Sequence, residues 1–447
     1  MKRIENQERF DALRQEYKVF TFYSQEVVLQ DGVLSMTFHF SLDERYHFHP
    51  TLTIPARPFY HWESIPKSQL EVLAFHVGMV ELVSYWKLAC PKTVVVKPYD
   101  LKLCQKKWWR HLYYQGLGEF RYLNGIECAE HDFLRIESGT DRELSGVQLP
   151  LEEKTLVPIG GGKDSVVTLE MLRHELPVIP HIVNPRGATV GCVEAAGYHE
   201  DGVAVVHRTL DPTMLRLNSE GFLNGHTPFS ALLAFVSLLI GMGSGSKYIA
   251  LSNESSANES TVPGTDINHQ YSKSIDFERD FREYVRMHLN EQIQYFSFLR
   301  PLNEMQIAAL FSRCEAYHEV FRSCNAGSKT DSWCGKCPKC LFTWLILSPF
   351  IPREHLTAIF GKDLLTDPSL RPIFEELNGT AAVKPFECVG TVEEVRACVD
   401  AMNNREGTIV EDSPRGDATV GEILSRFNEA HYLPQPFVDL LKSKLHV

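Results

Sequence analysis

Residues 151–348 predict an α/β domain built on a parallel sheet, with an α+β unit before it over 1–150 and a mostly helical region after it over 349–447. Three observations carry this expectation. After Leu156, short and nearly continuous apolar runs alternate with helical stretches, the pattern of strands covered on both faces. Before residue 150, apolar and polar residues alternate singly around turn dipeptides, as in half-buried antiparallel strands. After Leu341, the apolar spacing is that of helices.

In the first unit, residues 27–40 and 46–54 alternate around Asp31-Gly32 and Asp43-Glu44 and read as antiparallel strands. Residues 69–88 form a helical pattern with a broad apolar face, and 93–96 is a short β-branched run. The aromatic-rich stretch 108–124 (WWRHLYYQGLGEFRYLN) reads as core packing rather than a substrate wall, because aromatic stripes usually bury.

The stretch 156–172 (LVPIGGGKDSVVTLEML) reads as strand, tight loop and helix N-terminus. Glycines permit a turn with φ > 0 and a close backbone approach. The first N–H groups of the helix have no internal acceptor and favour an anion. Gly160, Gly161 and Gly162 are therefore read as an anion cradle, with Lys163 adding a cation and Ser165 a hydroxyl. Asp164 either works with Mg²⁺ or caps the helix. The loop has neither Walker A nor GxGxxG spacing.

Further strands follow at 177–183, 202–208 and 248–251, with a long apolar helix from 229. Ligands of such sheets sit beyond the carboxyl ends of strands. Polar stretches fall there at Lys163–Ser165, at Asn184-Pro-Arg and at Ser252-Asn253-Glu254. The last is rich in oxygen ligands, so Asn184, Asn253 and Glu254 join the candidate nucleotide site. Residues 268–274 (NHQYSKS) put His269 and Lys273 on a polar segment, and His226 lies in Asn224-Gly-His-Thr-Pro.

An amphipathic helix is expected over 303–321. Next, Cys324, Cys334, Cys337 and Cys340 have C-x9-C-x2-C-x2-C spacing, which suits a closed, structural Zn²⁺ site; an iron–sulfur cluster fits less well. A Thr-x-x-Glu capping box at Thr391 and Glu394 starts another helix. Just before it, Lys384-Pro-Phe-Glu-Cys388-Val-Gly has no evident core role.

The chain has 447 residues, 44% apolar and 23% charged, an ordinary globular composition. Its net charge of −12 argues against broad binding to nucleic acid or to anionic membrane. The charged N-terminus has no signal-peptide core, and the most apolar stretch, 229–242, is shorter than the roughly 20 residues a membrane helix needs. A cytoplasmic enzyme is expected, and 11 cysteines, an odd number, do not suggest a disulfide framework.

Two resemblances sharpen this. GGGKDS resembles the PP-loop, SGGxDS, of ATP pyrophosphatases, with Gly160 in place of Ser. That fold, like the adenine nucleotide alpha hydrolases, and the four cysteines are similar to 7-cyano-7-deazaguanine synthases, which makes an ATP-dependent adenylating ligase or thiolase one alternative. A non-catalytic zinc-knuckle protein is another. A wider resemblance is to the UDP-N-acetylmuramoyl-L-alanyl-L-glutamate epimerases. It rests on Gln115-Gly-Leu-Gly-Glu-Phe, Pro158-Ile-Gly-Gly-Gly-Lys-Asp-Ser, Asn224-Gly-His-Thr-Pro, Ser252-Asn-Glu-Ser-Ser-Ala, Asn268-His-Gln-Tyr-Ser-Lys-Ser, Trp333-Cys-Gly-Lys-Cys-Pro-Lys-Cys and Lys384-Pro-Phe-Glu-Cys-Val-Gly. That family's loop looks like GGGKDS, so Gly160 is no departure from it.

The resemblance implies a peptidoglycan-precursor enzyme using ATP, Mg²⁺ and a structural Zn²⁺, with UDP-MurNAc-L-Ala-L-Glu as substrate. ATP would adenylate the α-carboxyl of the terminal L-glutamate, and the Cα proton would then be exchanged across two faces. Groups suited to that exchange have a pKa near the working pH, which singles out Cys388, His269, His226 and Lys273.

Overall fold

The computed structural model describes residues 3–258, 271–324, 326, 327, 330–381, 384, 385, 387, 389–407 and 413–445. Among these the strands are β1 (Val19–Gln30), β2 (Val33–Leu42), β3 (Tyr46–Phe48), β4 (Thr51–Ile54), β5 (Thr93–Val96), β6 (Arg135–Ser138), β7 (Glu152–Pro158), β8 (Val178–Val183), β9 (Ala204–Thr209), β10 (Ser246–Leu251) and β11 (Gln294–Ser297). With their helices they make an α/β protein with a large mixed sheet and a helical C-terminal region. Two compact units share the chain, each assembled from separate stretches. The first takes Met1–Lys154, Ala204–Ile249 and Ile267–Gln294; the second takes Thr155–Val203, Ala250–Asp266 and Tyr295–Val447.

In the first unit the strand order is β9-β4-β2-β1-β5-β6, with β3 also on β2. The β1–β2 hairpin closes at Asp31 and Gly32, both at positive φ (51° and 74°), the conformation that a tight primed turn demands. Phe20, Phe22, Phe38 and Phe40 follow the two-residue period and are all fully buried. The helix Lys67–Glu81 covers this sheet. The aromatic stretch read as core is core: Trp109 stacks on Phe235 with centroids 5.1 Å apart, and its indole N–H donates to the Tyr284 hydroxyl at 3.2 Å.

The expectation of a purely parallel sheet needs correcting. β9 pairs antiparallel with β4, and the expected antiparallel unit contains parallel β1–β5 and β5–β6 pairs. A short apolar run such as Ala204-Val-Val has no feature that sets its direction or neighbour. What anchors β9 is Arg208, whose guanidinium makes two bonds of 2.7 and 2.9 Å to Glu81, a carboxylate only 2% exposed on the covering helix.

In the second unit β7 and β8 are parallel neighbours. The helices Lys163–Leu172 and Glu304–Phe311 pack on each other, and Pro338–Leu347 packs on Val392–Glu406. The helix expected over 303–321 ends at Phe311 and is followed by a single 3₁₀ turn, Glu315–Tyr317. Among the described residues no helix is long and apolar enough to cross a membrane.

Gly78 in the helix Lys67–Glu81 tests the packing of the first unit. Alanine gains about 1 kcal/mol in helix propensity. Its Cβ would sit 2.5 Å from Phe22 Cζ and 2.9 Å from Phe38 Cδ1. Overpacking of that kind costs about 1–3 kcal/mol. Gly78→Ala is therefore expected to lower the unfolding free energy in a denaturant titration, although the substitution favours the helix.

Candidate active site and metal centre

The glycine loop lies in the second unit, between β7 and the helix Lys163–Leu172. Its three glycines differ in kind. Gly161 has φ +81°, and a Cβ there would stand 3.0 Å from the backbone of Ala188 and Thr189. A Cβ on Gly162 would meet the Ser323 hydroxyl at 3.0 Å. Gly160 is exposed, with no described atom within 4 Å of where its Cβ would be. Gly162 is the helix N-cap, and among the described residues no side chain caps it. The first turn thus presents backbone N–H groups without a side-chain acceptor, as an anion site requires. The Ser165 hydroxyl donates to the Gly162 carbonyl at 3.0 Å.

Lys163, read as the loop's cation, points inward and is 3% exposed. Its ammonium donates to Asp164 at 2.5 Å and to Glu304, itself 4% exposed. Glu394 accepts from the backbone N–H of Met305 at 3.0 Å while closing its own capping box with Thr391. Burial pulls the Lys163 ammonium down, but Asp164 and Glu304 more than offset it, so the net shift is upward and the charge is kept. Burial pushes the Glu304 carboxyl well up; Lys163 opposes this, and Asp164, Glu254 and Glu394 add to it. Burial likewise raises Glu394. Lys163 thus pairs with two carboxylates, Asp164 and Glu304.

The other polar stretches are fixed in place. Asn184 follows β8 in the left-handed region (φ 53°), which asparagine tolerates better than most residues. Ile159, entering the loop, donates its N–H to the His181 carbonyl at 2.8 Å, so the ends of β7 and β8 stay in register. Asn253 donates to the Ser297 hydroxyl at 3.0 Å. The Glu254 carbonyl accepts from Arg300 at 2.7 Å, and its carboxylate accepts from Ser256 at 2.6 Å.

The four cysteines meet as their spacing predicts, with all Sγ atoms within 4.8 Å of one another. Three sulfur pairs lie 3.8, 3.7 and 3.5 Å apart. A tetrahedron of Zn–S bonds of about 2.3 Å has edges of about 3.8 Å, so these sulfurs fit a single zinc-sized ion. Gly335 turns the knuckle at φ +63°, and Cys337 N-caps the helix Pro338–Leu347. The Cys340 thiol beside it brings the Cys337 thiol down to about 5, against burial, so a thiolate ligand is available. The centre also reaches the loop: Arg322 N–H donates to the Gly161 carbonyl at 2.7 Å, two residues before Cys324.

Of the candidate proton-exchange groups, His226 lies in the first unit with Nδ1 3.4 Å from a Glu119 carboxylate oxygen. Lys273 ends the short turn Tyr271–Lys273 in the same unit. His269 and Cys388 lie outside the described residues. Glu304 and Glu119 were not singled out from the sequence. Glu304 looks like an ordinary first-turn acid after Asn303, though its helix is otherwise apolar (EMQIAALF).

The chain matches the family model described as the MurL N-terminal domain over residues 11–298 and the MurL C-terminal domain over 320–416. The chain belongs to the MurL family. Three similar proteins carry the name UDP-N-acetyl-alpha-D-muramoyl-L-alanyl-L-glutamate epimerase. The one from Xanthomonas oryzae pv. oryzae is 32% identical over 88% of this chain and 87% of its own length. The Salinispora tropica protein is 36% identical over 73% and 72%. That of a Micromonospora species is 35% identical over 84% of each chain. This MurL-family chain places the glycine loop and the cysteine centre in one compact unit and His226 in the other.

Two results are expected. Gly161→Ala should lose about 1–3 kcal/mol of stability from backbone strain, while Gly160→Ala stays within about 0.5 kcal/mol, both read by denaturant unfolding. Treatment with a zinc chelator should lower the melting temperature, and acidification should release the same metal as its thiolates protonate, read by metal analysis of the dialysate.

Proposed function

We propose that this chain epimerises the terminal L-glutamate of UDP-MurNAc-L-Ala-L-Glu to D-glutamate, in peptidoglycan precursor synthesis. What carries this is the similarity to three epimerases of that name over 73–88% of the chain. The reaction draws on ATP. An α-carboxylate resists loss of the neighbouring proton, because an enolate adds charge beside existing charge. Transfer of AMP to the carboxylate expels pyrophosphate and leaves an acyl adenylate, whose Cα–H is as acidic as that of an ester. After the centre has inverted, water releases AMP and the D-glutamyl product.

The uncapped helix start after Gly160, Gly161 and Gly162 supports a PP-loop role, with backbone N–H groups receiving phosphate. Because Lys163 is engaged by Asp164 and Glu304, the triphosphate needs another counter-charge. Mg²⁺ would supply it, with Asp164, Glu254, Asn184 and Asn253 as the candidate oxygen ligands. Zn²⁺ at Cys324, Cys334, Cys337 and Cys340 is structural, since four protein ligands leave no open position. Proton exchange at Cα falls to His226, His269, Lys273 and Cys388. The enzyme works in the cytoplasm, where its nucleotide substrate is made.

Incubation with ATP, Mg²⁺ and UDP-MurNAc-L-Ala-L-Glu is expected to give D-glutamate with one AMP and one pyrophosphate per inversion. Inversion without AMP would overturn the adenylation step. ATP turnover without inversion, or turnover with 7-carboxy-7-deazaguanine alone, would overturn the epimerase reading.

A further inference from the structure

Two segments of the first unit that the glycine loop does not use are pressed together around His226. Gly225, at φ +156°, has no room for a side chain: a Cβ would stand 3.0 Å from Phe120 Cδ2 and 3.4 Å from Asn124 Nδ2. A Cβ on Gly116 would meet Pro228 Cγ at 2.8 Å. Asn124 Nδ2 donates to the Asn224 carbonyl at 3.1 Å. From the other side, Leu223 N–H donates to the Leu88 carbonyl at 2.9 Å, and the Lys87 ammonium donates to the Gly225 carbonyl. The turn 223–228 is thereby gripped from two directions.

Two charges are spent on this turn. Lys87 is 5% exposed and, among the described residues, has no carboxylate within ion-pair distance. Burial, assisted by Arg208 and opposed by Cys90, brings its ammonium down to about 8. Glu119 is also buried, with a side chain 8% exposed, whereas that of His226 is 34% exposed. A turn needed only for its shape would be held by neutral donors, because a buried charge costs several kcal/mol in desolvation. A carboxylate behind a half-exposed imidazole is what general-base chemistry requires. At 3.4 Å from Nδ1 it stabilises the positive charge that arrives on the ring with an abstracted proton.

We propose that His226 is a catalytic acid–base residue at the glutamate Cα, with Glu119 and Lys87 as its positioning residues. This deepens the epimerase reading and rests on it. The Cα–H bond breaks, its proton passes to the His226 imidazole and its electron pair enters the acyl carbonyl as an enolate. A second protonated group then donates to Cα on the opposite face. The imidazolium gives its proton to water, and water reprotonates the second group.

The test uses the full chain with UDP-MurNAc-L-Ala-L-Glu, ATP and Mg²⁺ in D₂O, reading glutamate chirality and deuterium at Cα. His226→Asn is expected to lose at least about 100-fold in both, the size of a general-base contribution. Its melting temperature, read beside the rates, checks that it folds. Glu119→Gln is expected to lower kcat by about tenfold or more with little change in KM, and Glu119→Asp to restore most of it. Without the carboxylate the ring is less basic, so the acid limb of the pH–rate profile should move to lower pH in Glu119→Gln. Wild-type inversion by His226→Asn, or an unmoved acid limb in Glu119→Gln, overturns the proposal. AMP and pyrophosphate are measured on the wild type, so failure of the adenylation step appears there, and failure of this proposal only in the variants.

Discussion

The Lys163 ammonium sits where almost no water reaches it, and the second unit is arranged to make that tolerable. Removing either partner of a buried ion pair costs about 3–5 kcal/mol, because the remaining charge is stranded. Glu304 therefore fixes the helix Glu304–Phe311 against the helix Lys163–Leu172 more firmly than apolar contact alone. Glu394 continues the chain of constraint by accepting from Met305 and capping its own helix at Thr391. Three helices distant in sequence are thus tied together at the end of the glycine loop.

The cysteine centre acts on the same loop from another side. Its approach, residues 321–324, passes the glycines, with Arg322 bonded to Gly161 and Ser323 filling the space beside Gly162. A metal that holds Cys324 near the knuckle 334–340 also holds those two residues in place. A closed, inert centre can in this way contribute to a site whose chemistry it never touches.

How far the sequence could be read followed from how local each cause is. The Asp31-Gly32 hairpin, the Thr391–Glu394 box and the knuckle spacing are set within a few residues, and all three stand in the fold. The glycine at 161 likewise announced a turn with positive φ before it was seen. The direction of β9 depends on Glu81 and β4, both far away in the chain, and nothing in Ala204-Val-Val encodes it. The same limit hid Glu304, which meets Lys163 across 141 positions, and the approach of Glu119 to His226. Charged residues on helices look alike in sequence whether they face water or each other.

The division of the chain bears on its birth at the ribosome. The first unit draws its last stretch from Ile267–Gln294, after the glycine loop and its helix have already been made. At about 5–20 residues per second, that stretch follows the first strands by some tens of seconds. During that interval the helix Lys67–Glu81 and Trp109 lack part of their packing, since Phe235 and Tyr284, which meet His76 and Trp109, belong to the later helices Phe229–Ser244 and Ile275–His288. Nascent chains of this protein should consequently depend on holding chaperones more than a chain whose units are finished one after the other.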